Sequence, residues 1–214
     1  MSHCLRPHRI ASPGVALLLV IILTACAAPA AAPTAAPTAT PPPPTATAAA
    51  PTATATPAPF VLTSPAFAAD ADIPVRYSCA GENISPPLAW SGVPAGTVSL
   101  ALIMDDPDAV AVVGQVYDHW LLFNIPAETA ALEAAVPLKN TLADGSQHGR
   151  NSGRLKGYAG PCPPAGPAHH YSFRLYALDT RLTLESGASK EALLAAMDGH
   201  ILAQAELVGL FAAP

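Results

Sequence analysis

Short apolar runs broken by Pro- and Gly-rich turns set the pattern of the chain beyond residue 60. Val98–Met104, ending in LALIM, and Trp120–Ile125 (WLLFNI) are continuous apolar stretches of strand length and predict buried strands. In Tyr171–Leu178 (YSFRLYAL), Tyr171, Phe173, Leu175 and Ala177 alternate with Ser172, Arg174 and Tyr176, the period of a half-buried strand. Phe60–Leu62 and Ile73–Tyr77 predict two further short strands. Pro86 and Pro87 hold their segment extended and outside any central ladder, and Gly92, Pro94 and Gly96 mark a loop. Ala127–Gly145 reads as a helical turn followed by loop, and Gln147–Gly160 as a long ordered loop. Near the end the period changes. Ser189 is placed to cap a helix over Lys190–Met197, with Leu194, Met197 and Ile201 on one apolar face. Gly199 interrupts that pattern and predicts two short helices, while Leu207–Phe211 fits helix or strand.

The first quarter has a different character. Arg6 and Arg9 precede the apolar run Val15–Leu23, and small residues follow it, so residues 1–25 read as a secretory signal that is too short for a comfortable span. Leu23-Thr24-Ala25-Cys26 resembles a bacterial lipobox, which implies cleavage before Cys26 and acylation of that cysteine. Residues 26–59 are almost wholly Ala, Pro and Thr and cannot bury a core; they read as a disordered stalk. One domain, residues 60–214, remains.

Charge narrows the classes of partner. All 15 Asp and Glu lie in the domain against 8 Lys and Arg, a formal balance of −7 that argues against nucleic acid and against flat docking on anionic lipid. Arg150, Arg154 and Lys156 form its one basic cluster. Cys79 and Cys162 are left as a pair in a compartment that permits disulfides. Acidic and imidazole groups gather at strand ends: Asp105, Asp106, Asp108, Asp118 and His119 around one pair of strands, His169 and Tyr171 at the mouth of another. Imidazole and phenol can donate to an anion, and a nearby carboxylate can orient an imidazole.

Taken in order, YSCAGENISPPLAW (77–90), LALIMDDPDA (100–109), DHWLLFNIPA (118–127), GRNSG (149–153), GYAGPCPP (157–164), HHYSFRLYALD (170–179) and GHILAQAELVG (199–209) resemble the phosphatidylethanolamine-binding protein family, in its bacterial Raf-kinase-inhibitor-like branch. The resemblance implies a mainly β fold, an antiparallel β-sandwich with short C-terminal helices and a small anion pocket at one end. Carried over residue by residue, it places Asp106, Asp108, His119, Pro163, His169 and Tyr171 at the ligand, with Cys162 and Pro164 beside them and Cys79–Cys162 as a candidate disulfide. Val110 stands where the family has proline, and His170 where it has arginine. Strand alternation from Tyr171 directs His170 away from the pocket. Asp105 and Asp118 are then expected at solvent or in loops, and the AVAVVG stretch as a loop beside the pocket.

The expected function is that of a membrane-anchored extracytoplasmic protein binding a phosphate or other anionic head group of a lipid or small molecule, without a cofactor. A second class is an inhibitor or regulator of an envelope or secreted protease, or of a kinase-like signalling partner, since the family includes such modulators. A hydrolase is the least favoured class, because no G-x-S-x-G nucleophile motif is present. A metal held by His119, His169 and an aspartate is conceivable by ligand type, but an anion is the favoured occupant.

Overall fold

The computed structural model describes residues 58–214. The predicted leader, Cys26 and all of the stalk but its last two residues lie outside the described part. Strands β1 (Val61–Thr63), β3 (Leu88–Ser91) and β6 (Ala131–Leu132) form a small antiparallel sheet in the order β1-β3-β6. A larger sheet has the order β2-β9-β8-β4-β5-β7, from β2 (Ala71–Asp72), β4 (Ser99–Asp106), β5 (Tyr117–Pro126), β7 (Gln147–His148), β8 (His169–Leu178) and β9 (Ile201–Phe211). All its pairings are antiparallel except β2 with β9. The chain is therefore mainly β, two sheets facing each other across one core.

That core contains Leu62, Leu88 and Trp90 from the small sheet and Leu100, Leu102, Met104, Trp120, Leu122, Tyr171, Phe173 and Leu175 from the large one. The outer face of the large sheet is also covered. Ala101, Ile103, Leu121, Phe123, Tyr176 and Leu178 pack there against Leu193 and Met197 of helix α2 (Lys190–Met197). Two-sided burial explains why the central strands read as continuous apolar runs. It also sends neighbouring residues of β4 into different surroundings, since successive side chains point to opposite faces.

Several local expectations change. Ile73–Tyr77 is not a strand: Ile73 is buried, Pro74 cannot continue a ladder, and Val75–Tyr77 makes a single 3-10 turn. Ser189 does cap α2, accepting from the Ala192 N–H, but the buried stripe is Leu193 and Met197, while Leu194 and Ile201 are exposed. Gly199, at φ 77°, reverses the chain directly into β9, so the second helix predicted after it is a strand. Within Ala127–Gly145 the ordered element is β6 instead of a helical turn, and AVAVVG contains the one-turn helix α1 (Val110–Val113) with its valines exposed.

Candidate functional site

At one end of the sandwich, the C-terminal end of β4 and the N-terminal ends of β5 and β8 border a cavity of about 290 Å³. Its lining includes Asp106, Tyr117, His119 and His169 from these strand ends, Ala109, Val112 and Val113 at α1, and Asn83, Gly160, Cys162, Pro163 and Pro164 from the loops opposite. Cys79 and Cys162 form a disulfide in this wall, their Cα atoms 5.4 Å apart. The same two loops are joined by the Cys79 N–H to the Pro161 carbonyl (3.0 Å) and the Gly160 N–H to Asn83 Oδ1 (2.7 Å).

His119 reaches the cavity through a β-bulge. Met104 pairs with Trp120 and Asp105 with Asp118, so His119 is the extra residue of β5 at that point. Without the bulge, alternation would place His119 with Leu121 on the α2 side. The bulge turns it toward the pocket instead, a recurrent use of this irregularity. Its Nδ1–H donates to the Ala159 carbonyl at 2.7 Å, and its ring packs edge-on to Tyr171 at 5.2 Å. Burial pushes its pKa below the ordinary value, against the opposing pull of the Ala159 carbonyl and the Asp106 charge. The neutral ring therefore keeps its proton on Nδ1 and turns an Nε2 lone pair to the cavity.

His169, at the start of β8, shares its face with Tyr171. Its Nδ1 lies 2.8 Å from Asp106 Oδ2, while Asp106 Oδ1 accepts the Ala109 N–H at 3.0 Å. The carboxylate thus holds the imidazole orientation and anchors the loop entering α1. The His169 Nε2 has no hydrogen-bond partner among the described residues and faces the cavity that a ligand would fill.

The remaining expected residues divide. Pro163 lines the cavity, with Cys162 and Pro164 beside it. Asp108 does not; its Oδ2 accepts from the His170 backbone N–H at 2.7 Å and sits 2.8 Å from His170 Nδ1, on the exposed face. These hydrogen bonds hold the Asp108 carboxyl below its usual range. His170 indeed points away from the pocket. Tyr171 is fully buried behind the wall, its hydroxyl without a hydrogen-bond partner among the described residues. Burial and the Asp106 charge push its phenol far above the ordinary range, so it remains protonated. Sequence reasoning missed Asn83 and Tyr117 as lining residues; only the aromatic beside the Asp-His pair offered a signal for the latter.

Asp105 and Asp118 are neither at solvent nor in loops. Asp105, 1% exposed, pairs with Arg174 and lies 2.5 Å from Lys190 Nζ, which also reaches Asp118 at 2.8 Å. Asp105 shares the α2-facing side of β4 with Ala101 and Ile103; Asp106 shares the opposite side with Met104. Two adjacent aspartates therefore belong to different systems, one structural and one at the cavity. Among the described residues no group of three or more His, Cys, Asp or Glu is placed to hold a metal ion.

Comparison with known proteins agrees with this architecture. The family model for phosphatidylethanolamine-binding proteins matches residues 63–212, and the chain belongs to that family. A UPF0098 protein of Methanothermobacter thermautotrophicus is 55% identical over 150 residues, covering 70% of this chain and 97% of that protein. A Mycobacterium tuberculosis protein described as "Putative lipoprotein LppC" is 39% identical over 208 residues, covering 95% of this chain and 96% of the relative. Among solved structures, the phosphatidylethanolamine-binding protein homologue of Chlamydia trachomatis superposes with a TM-score of 0.67 at 41% identity, over 72% of this chain and 98% of its own. Escherichia coli YbcL superposes with a TM-score of 0.68 at 32% identity, over 73% and 100%. Both solved chains match the sandwich over essentially their whole length, which marks it as a unit that folds by itself.

Proposed function

We propose that the protein is an extracytoplasmic binding protein, anchored to a membrane through Cys26, whose cavity holds a phosphate or another small anionic head group. One observation carries this reading: two imidazoles line one small cavity, each with Nδ1 engaged by a protein acceptor and Nε2 free for a ligand. His169 has the Asp106 carboxylate behind its Nδ1 and presents Nε2 to a ligand. Burial favours the neutral His119, which accepts at Nε2; it donates only after taking up a proton, which a bound anion favours. A phosphate monoester suits either state of His119, its hydroxyl donating to the neutral ring or its anionic oxygens accepting from the protonated one. The disulfide-tied wall and Pro163 limit the space to a head group. Likeness to LppC, with the Leu23–Cys26 motif, supports the lipid anchor.

Titration of residues 58–214 with phosphorylethanolamine, following imidazole NMR signals, tests the pocket. Shifts at His119 and His169 are expected; saturation of neither ring at millimolar ligand would remove the proposal. Mass spectrometry of globomycin-treated and untreated cells tests acylation at Cys26.

A further inference from the structure

Leu155 and Leu138 are 66% and 65% exposed, the most exposed large apolar side chains among the described residues. They stand among cations. Of the domain's basic residues, Arg76, Arg174 and Lys190 are paired with carboxylates, and Arg181 reaches the Gly145 carbonyl. Lys139, Arg150, Arg154 and Lys156 are exposed and form no ion pair among the described residues.

These six residues occupy two adjoining loops. Arg150 and Lys156 face each other across an isolated β-bridge. Buried Asn151 fastens the turn between them: its N–H donates to the Leu155 carbonyl at 2.9 Å, its Oδ1 accepts from the Leu155 N–H at 3.0 Å, and its Nδ2 donates to the Gly157 carbonyl at 3.2 Å. Leu138 lies over Gly157 so closely that a Cβ there would come within 2.5 Å of its Cδ2. On the other flank, a Cβ on Gly153 would sit 3.0 Å from the hydroxyl of Tyr117, which lines the cavity. A basic and aliphatic patch therefore adjoins the pocket mouth, with Arg150 at its edge in a groove that Asp118 and Glu191 also line.

We propose that this patch, loop 150–156 with Leu138 and Lys139, docks the domain on an anionic phospholipid bilayer. The leucines would enter the interface, where removing each from water is favourable, while the cations meet lipid phosphates. Exposed large apolar residues here are aliphatic, without the aromatic anchors on which protein interfaces rely. Because the remainder of the domain is acidic, its field turns this end toward a negative surface. The docked orientation brings the pocket mouth to the head-group layer. The expectation from overall charge, no contact with anionic lipid, applies to the domain's mean surface and not to this end.

The test is sedimentation of the isolated domain with phosphatidylcholine vesicles, with and without phosphatidylglycerol. Binding is expected only with phosphatidylglycerol, and it should weaken as salt rises. Arg154→Gln and Lys156→Gln should each weaken it about fivefold, and the double change Leu138→Ser with Leu155→Ser should weaken it further still. Near-ultraviolet circular dichroism of each variant confirms the fold. Arg154→Gln and Lys156→Gln should weaken binding by the same factor in a His169→Ala background, which separates this surface from the pocket. No sedimentation with phosphatidylglycerol at low salt, equal binding to both vesicles, binding indifferent to the leucines, or an effect of Arg154→Gln and Lys156→Gln that vanishes in the His169→Ala background would each overturn the proposal.

Discussion

His169 Nδ1 lies 2.8 Å from Asp106 Oδ2, and the other oxygen of that carboxyl group caps the turn at Ala109. One side chain thus fixes both an imidazole and the loop entering α1. Asp106→Ala frees the ring and withdraws its counter-charge. The loss of a charged hydrogen bond, about 1.5–3 kcal/mol, should weaken phosphorylethanolamine binding by about 10–100-fold. Calorimetry gives the affinity, and long-range imidazole NMR correlations should show a change in the His169 tautomer. Unchanged affinity and tautomer would mean that Asp106 serves the loop alone.

Binding of an anion should draw a proton to His119. Burial holds its pKa below the ordinary value of 6.5, so the ring is neutral at pH 7, and an anion favours the cationic form. Affinity for sulfate, which does not titrate in this range, should rise as pH falls from 8 toward 5. The limit is about tenfold per pH unit for one linked proton. Calorimetry in buffers of differing ionisation enthalpy measures the uptake directly. His119→Gln should flatten the dependence, and a slope that survives this change would assign the proton elsewhere.

Much of this was legible in the sequence, and its gaps have physical causes. The central strands β4 and β5 are apolar runs, and His170 follows the simple alternation of β8, so its outward direction is predictable. Asp105 reads as solvent or loop because the run LALIM signals burial but not the cations that wait on the outer face, where under α2 it meets Arg174 and Lys190. His119 is a harder case. Its direction depends on a bulge, a one-residue offset between strands that no local pattern in YDHWLLFNI announces. The valines of α1 read as loop because a single turn is too short for a helical period to show.

Asp105 is the anion of a partly buried network, and its removal should be felt as stability. Burial opposes the charge of Lys190, yet Asp105 and Asp118 outweigh that and hold its ammonium above its ordinary range. Asp105→Ala leaves Arg174 and Lys190 without their shared partner, at a cost of about 3–5 kcal/mol, because breaking a buried pair strands the remaining charge. Urea denaturation reads the loss, with phosphorylethanolamine binding retained since the pocket lies on the other face. A change below about 1 kcal/mol would show that Glu206, Asp118 and water compensate.

The Cys79–Cys162 bond closes a sequence separation of 83 residues and lies in the cavity wall. Restriction of the unfolded chain by a loop of that size is worth about 4.5 kcal/mol, so Cys79→Ser with Cys162→Ser should lower the urea midpoint markedly. The Asn83 to Gly160 contact still joins the two loops, and the folded double variant should keep a formed but looser pocket. A weaker affinity with an unchanged His119 spectrum is expected from equilibrium titration. Two free thiols in the unfolded, unreduced protein would remove the premise.

Acid should destabilise the fold through His148. Trp120 Nε1–H donates to its Nδ1 at 3.3 Å, and its Nε2–H donates to the Pro137 carbonyl at 3.1 Å, so the neutral ring is satisfied at both nitrogens. A second proton would set Nδ1–H against the indole N–H, and burial pushes the pKa down from 6.5. A histidine depressed in the folded state takes up its proton more readily when unfolded. Its stabilising contribution is therefore complete above about pH 6.5 and declines as pH falls through the window below that value, by at most about 1.4 kcal/mol per pH unit. His119 acts in the same direction. Unfolding free energies from urea curves between pH 8 and pH 5 should fall with acid, and His148→Asn should reduce the slope. An asparagine amide oxygen can still accept from Trp120, so the variant should fold. A slope identical to that of the parent would exclude His148 as the linked group.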